Sequence, residues 1–172
     1  MYDIVMIGSS IFEFWQQPKF DKLIAKNCAI RSTQTKDWLD KSYDNWPASS
    51  HMLIYCGSND LIFGNTPKQI TRNVCALLDK LSAKFPNTRL GYFSIMQCPQ
   101  KTEARQFDVI KQINNEINAY CAHQYDFFNF NDFIENDPKW FVDDGLHLTA
   151  QAYQMLTRKL SPVLSKWVNT TR

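Results

Sequence analysis

No stretch of this 172-residue chain approaches the roughly 18 uncharged apolar residues that a membrane-spanning helix needs, so stable membrane insertion is not expected. Charge of one sign is equally scarce. The 19 basic and 17 acidic residues leave a net charge of +2, and the basic residues are scattered along the chain without forming a run. That gives neither nucleic acid nor an anionic bilayer an electrostatic footprint. The five cysteines, Cys28, Cys56, Cys75, Cys98 and Cys121, form no C-x-x-C pair. Their wide spacing disfavours a zinc site, and their odd number disfavours a secreted disulfide framework. Free thiols are expected, with Cys56 and Cys75 acting as small core side chains. The start of the chain has no basic n-region, and its apolar stretch from Ile4 to Ile7 is too short for a signal sequence. A reducing, cytoplasmic setting is the resulting expectation.

Apolar residues make up 44% of the chain, and twelve Phe, seven Tyr and five Trp supply ample area to bury. This length fits one hydrophobic core, so residues 1–172 are read as a single domain. Short β-rich runs alternate with longer helical patterns. The runs are Asp3 to Ile7, a weak one at Cys28 to Ile30, Met52 to Cys56, Leu90 to Ile95, and Tyr125 to Phe130. Continuous apolar runs of this kind suit parallel strands covered on both faces. Thr66-Pro67-Lys68-Gln69 is a capping box with proline at the first helical position; the helix it opens carries Ile70, Val74, Leu77, Leu78 and Leu81 on one face and stops before Pro86. Thr102 is expected to open a second long helix, with Phe107, Ile110, Ile113, Ile117 and Cys121 facing inward. Thr149 is expected to open the last, which carries Ala152, Leu156 and Leu160 up to Pro162. The alternation predicts an α/β domain with a doubly wound sheet.

In such a sheet, sites form at the carboxyl ends of strands. Of only five glycines, Gly8 and Gly57 stand at strand ends and Gly145 stands in the last loop, each followed by small polar or ionisable residues. Three segments therefore matter: Gly8-Ser9-Ser10-Ile11, Gly57-Ser58-Asn59-Asp60 and Asp144-Gly145-Leu146-His147. Taken singly, Ser10 reads as a helix cap, Asn59 as a stabiliser of its own turn and His147 as a structural histidine. Taken together, they supply a nucleophile, a base and a carboxylate that orients the base. Asn59 adds an amide donor for an oxyanion. Asp143 is an alternative orienting acid, although the three-residue spacing to His147 favours Asp144. His51 and His123 precede strands, on the edge opposite these segments, and are assigned no role.

The chain resembles the SGNH hydrolases, the GDSL-type esterases and lipases. Gly8-Ser9-Ser10-Ile11 followed by Trp15 is similar to their first block, Gly57-Ser58-Asn59-Asp60 to the G-x-N-D block, and Asp144-Gly145-Leu146-His147-Leu148 to the D-G-x-H-L block. The stretch from Ser94 through Pro99 and Arg105 to Asn114 and Tyr120 resembles the members' fourth strand and the helix after it. The resemblance implies a flavodoxin-like three-layer α/β/α fold around a five-stranded parallel sheet. It further implies Ser10 as nucleophile, His147 as base, Asp144 as its partner, and no metal or cofactor. The implied oxyanion hole comprises the N–H of Ser10, the N–H of Ser32 and Asn59. The second block departs from the family pattern: Asn27-Cys28-Ala29-Ile30-Arg31-Ser32-Thr33 puts Ser32 where a glycine is usual, so a side chain must tolerate that backbone conformation.

The expected activity is hydrolysis of an acyl or acetyl ester through an acyl-enzyme. A small ester, lysophospholipid, thioester or acetylated sugar would be the small-molecule partner, since fold and triad do not choose among them. Phe12, Phe14, Trp15, Trp38, Phe63, Trp140 and Phe141 flank the blocks and divide between core and pocket. Arg31 is either a solvated surface residue or a contact for a substrate carboxylate or phosphate. The rival readings are a non-catalytic acyl- or glycan-binding module on the same fold and a phosphate or nucleotide binder using the loop after the first strand. The latter leaves Asp144 and His147 unexplained.

Overall fold

Five strands, β1 (Tyr2–Gly8), β2 (Ala25–Asn27), β3 (Ser49–Tyr55), β4 (Arg89–Phe93) and β5 (Asp126–Phe128), pair in parallel in the order β2-β1-β3-β4-β5. The structure is a computed structural model and describes residues 1–170. Parallel neighbours need crossover connections, and helices lie in them: α1 (Ser10–Glu13), α2 (Thr35–Asp40), α3 (Ser58–Ile62), α4 (Pro67–Lys84), α5 (Pro99–Glu103) and α6 (Phe107–Cys121), while α7 (Ala150–Asn169) follows the last strand.

Alternation along the strands divides the core in two, as a pleated strand requires. Ile4 and Met6 of β1 join Phe12, Phe20, Tyr55, Phe93, Phe130 and the apolar stripe of α7 on one face. Val5 and Ile7 join Trp38, Ile70, Val74, Leu77, Ile110, Ile113 and Ile117 on the other. The first face is rich in aromatic rings and the second in aliphatic side chains contributed by α4 and α6. This is the expected three-layer α/β/α arrangement with a doubly wound sheet. The chain leaves β1 outward to β2 and then returns past β1 to β3, so the strand order reverses at the carboxyl ends of β1 and β3. A crevice forms at such a point.

Four local expectations change. The second strand is Ala25–Asn27 rather than Cys28 to Ile30. The Asn27 side chain accepts the Ala29 N–H and donates to the Phe12 carbonyl, which ends the regular ladder, although Cys28 and Ile30 still donate to Met6 and Gly8. Thr102 does not open the long helix. Pro99 starts a short α5, Arg105 turns left-handed at φ 53°, and α6 begins at Phe107. The last helix runs through Pro162 to Asn169. Pro162 removes one backbone donor, but it lies on the exposed side of α7 while Leu164 and Trp167 continue the buried stripe. His51 lies within β3 rather than before it and is buried against Trp167. His123 is exposed in the turn before β5.

Candidate active site

The crevice is built from the ends of β1 and β3. Gly8 adopts φ 151°, and a Cβ there would sit 2.1 Å from the Tyr55 carbonyl oxygen, so only glycine lets the two strand ends come this close. The Tyr55 carbonyl accepts the Ser9 N–H, and the chain then enters α1 with Ser10 as its first residue. That position leaves the Ser10 N–H without an intrahelical acceptor. Ser10 is 7% exposed, and its Oγ lies 2.9 Å from His147 Nε2.

Asp144 and His147 sit in a turn whose rim is an antiparallel bridge between Phe141 and Leu148. Asp144 Oδ1 accepts the backbone N–H of Leu146 and of His147, each at 2.9 Å. Its other oxygen lies 2.5 Å from His147 Nδ1. One carboxylate therefore shapes the turn and orients the ring that the turn carries. Burial pushes the Asp144 carboxyl upward, but hydrogen bonds from the His147 ring and the two N–H groups outweigh it, and its pKa falls below the ordinary carboxylate value. Phe14 packs against the His147 ring with centroids 4.9 Å apart. Asp143 makes no comparable contact with His147.

The opposite wall comes from two distant segments. Asn59, on α3, donates one Nδ2 hydrogen to the Thr33 carbonyl at 2.9 Å, which leaves its second hydrogen available. Ser32 adopts φ 62°, the left-handed conformation that a glycine would reach without strain. Beside them, Asp60 is fully buried and accepts the Thr35 N–H and hydroxyl, while Asn73 donates to that same hydroxyl. Asp60, part of the third block, thus fastens that block to the start of α2, just after the second block.

Ser10, Ser32, Asn59 and His147 line one pocket of about 280 Å³ with Phe14, Arg31, Ile62, Phe63 and Leu146. Of the flanking aromatics, Phe14 and Phe63 reach this pocket, whereas Phe12, Trp15, Trp38 and Phe141 are core residues. Trp140 packs partly buried against the first core. Arg31 stands at the rim, paired with Glu13 at 2.7 Å and lying over the Phe14 ring. A larger cleft of about 620 Å³ between α6 and the ends of β4 and β5 contains none of these groups. Among the described residues, no three His, Cys, Asp or Glu side chains gather as a metal-ligand set. Nor is any helix long and apolar enough to cross a membrane.

Residues 7–155 match the model of the GDSL-like lipase/acylhydrolase family. The chain belongs to this family. A curated relative, N-acylneuraminate cytidylyltransferase of Escherichia coli O18:K1:H7 (strain RS218 / NMEC), is 22% identical over 176 residues. That match takes in 94% of this chain and 40% of the relative, so the chain spans about two fifths of the relative's length. Among solved structures, a Streptococcus pneumonia protein described as a platelet activating factor superposes with a TM-score of 0.81 at 22% identity, covering 95% of this chain and 84% of that one. The psychrotrophic esterase EstA of Pseudoalteromonas sp. gives 0.68 at 20% identity, covering 98% and 100%. A carbohydrate esterase family 3 protein from Talaromyces cellulolyticus gives 0.75 at 14% identity, with both chains fully covered. These likenesses establish the fold, and the family model establishes membership of the GDSL-like lipase/acylhydrolase family.

Proposed function

We propose that this GDSL-type hydrolase, a single domain over residues 1–172, cleaves carboxylic esters with a short acyl group through an acyl-enzyme. The unbroken contact from Ser10 Oγ through the His147 ring to Asp144 carries the proposal. Ser10 Oγ attacks the ester carbonyl as its proton passes to His147 Nε2. Asp144 holds the Nδ1 hydrogen and stabilises the imidazolium that forms. The Ser10 N–H, the Ser32 N–H and the free hydrogen of Asn59 Nδ2 receive the oxyanion. Collapse breaks the ester C–O bond, and the leaving alkoxide takes the proton from His147. Water then attacks the acyl-serine with His147 again as base; the carboxylic acid departs and Ser10 regains its hydrogen.

A pocket of about 280 Å³ is at the small end for ligand sites, which supports acetyl or butyryl over long acyl chains. Arg31 at the rim suits a substrate that also carries an anionic group. The name of the Escherichia coli relative specifies an acidic sugar, so acetylated N-acylneuraminate belongs on the substrate panel. The odd number of cysteines and the lack of any C-x-x-C pair support a reducing, cytoplasmic compartment.

The test is hydrolysis of p-nitrophenyl acetate, butyrate and octanoate by wild type and Ser10→Ala, with thermal melting of both. Turnover should favour the short chains and fall by at least about 10³-fold in the variant, with the Tm moving by no more than about 3 °C. A fluorophosphonate should label Ser10 in wild type alone. Turnover surviving in Ser10→Ala overturns the nucleophile. A folded wild type that neither hydrolyses nor labels is a binding module.

A further inference from the structure

A buried cation without a counter-charge lies behind the oxyanion loop. Lys101, on α5, is 1% exposed, and its Nζ donates to the Ser58 carbonyl oxygen at 3.3 Å. Among the described residues no carboxylate makes an ion pair with it. Taking an ammonium group out of water without a partner charge is expensive, and burial accordingly pushes the Lys101 pKa below the ordinary lysine value. The surroundings return little of that expense. The Ser58 and Tyr55 hydroxyls are also buried but interact with each other, and neither accepts from Lys101 Nζ. An apolar side chain of the same length would serve packing better. The position of Lys101 gives it a different use, because Ser58 is the residue before Asn59. The same helix also reaches the other half of the site, where the Gln100 N–H donates to the Gly145 carbonyl at 3.0 Å.

We propose that Lys101 is a positioning residue of the oxyanion hole, its ammonium group holding the Ser58 carbonyl and thereby the peptide plane that carries Asn59. The peptide is rigid, so fixing its oxygen on the α5 side fixes the Asn59 backbone on the pocket side. The Thr33 carbonyl then orients the side chain. Removing the hold lets the Asn59 donor wander from where the oxyanion forms, an error that acts on the transition state more than on ester binding. The inference rests on the hydrolase reading given above.

The test is Lys101→Met assayed on p-nitrophenyl acetate, alone and combined with Asn59→Ala, together with thermal melting. The single variant should lose about 10- to 100-fold in kcat, somewhat less than deletion of an oxyanion donor, with KM within about twofold. Its Tm should stay level or rise, since apolar replacement of a buried charge is often stabilising. In the Asn59→Ala background Lys101→Met should cost nothing more, because groups acting through one another are non-additive. A kcat within about twofold of wild type, or a full additional loss in the double variant, overturns the proposal. If Lys101→Met does not fold, Lys101→Gln removes the charge while keeping a polar tip, and the same outcomes decide. If wild type neither hydrolyses nor labels, the hydrolase reading fails on its own. The Asn59 amide signals in an ¹⁵N spectrum then decide the hold: displacement in the Lys101 variant supports it, and unmoved signals overturn it.

Discussion

The two walls of the pocket are made in opposite ways. On the side proposed for acid–base work, Asp144 and His147 are three residues apart, and one carboxylate both builds the turn and aligns the ring. On the side proposed to hold the oxyanion, Asn59 meets a carbonyl 26 residues away in sequence, Ser32 is held in a strained conformation, and a buried carboxylate ties α3 to the start of α2. A local turn is specified by its own residues. A wall assembled from distant segments depends on everything packed behind it. Substitutions in the first should therefore remove chemistry outright, whereas those in the second should degrade it by steps.

The largest expected effect is that of Asp144→Asn. It keeps a turn-forming side chain but removes the charge that faces the imidazole, and kcat should fall by about 10⁴-fold in a protein that still melts cooperatively. Asn59→Ala should follow at about 10²- to 10³-fold, read in the same ester assay. Equal losses from these two substitutions would break the contrast between the walls. The smallest effect concerns Asp60. Burial lifts its carboxyl above the ordinary value, and the hydrogen bonds from Thr35 offset this only in part. A raised folded-state pKa means that the fold prefers the neutral acid. Its stabilising contribution is fully present below the unfolded pKa and is lost as pH rises through the folded pKa. Acidification from about pH 7 to about pH 4 should therefore shift the difference in Tm between wild type and Asp60→Asn in favour of wild type. A constant difference would show that the buried carboxylate ionises as freely as one in water.

The elements legible in the sequence were those with self-contained signals. The runs around Val5, Ile54 and Tyr92 form the three central strands, Thr66 and Thr149 cap α4 and α7 by accepting the expected N–H groups, and Ile110, Ile113, Ile117 and Cys121 face inward on α6 as expected, whereas Phe107 is only half-buried. The site-bearing segments were legible too, because two rare glycines at strand ends mark where the chain must turn sharply. What escaped was decided by tertiary contacts. The end of β2 is set by an Asn27 side chain bonding to its own backbone and to α1. The break before α6 comes from a left-handed Arg105, a residue type with no preference for that conformation. Pro162 reads as a stop, yet its lost donor faces solvent. Lys101 was invisible for the same kind of reason: a lysine just before an expected helix start reads as solvent-facing, and only the packing of α5 against the start of α3 buries it. The structure brings Ser10, His147, Ser32 and Asn59 to one pocket, with Asp144 bonded to the His147 ring, and it adds Asp60 and Lys101 as groups standing behind that pocket.

The length of α7 has a mechanical consequence. Thr149 begins the helix two residues after His147, and the rod then runs twenty residues, about 30 Å, to the far edge of the sheet. There Trp167 packs on Gly91 and donates to Asp126, and Arg89 grips the last carbonyls. His147 thus stands just before a rod that is clamped at Trp167 and also pinned near its start, where Tyr153 donates to the Ile11 carbonyl and Trp15 donates to Thr157. A tilt of only about 2° about that clamp would swing the tip by about 1 Å over the length of the rod, a misplacement large enough to cost about two orders of magnitude in rate. Loosening either hold should therefore lower the proposed ester hydrolysis while the strands remain paired.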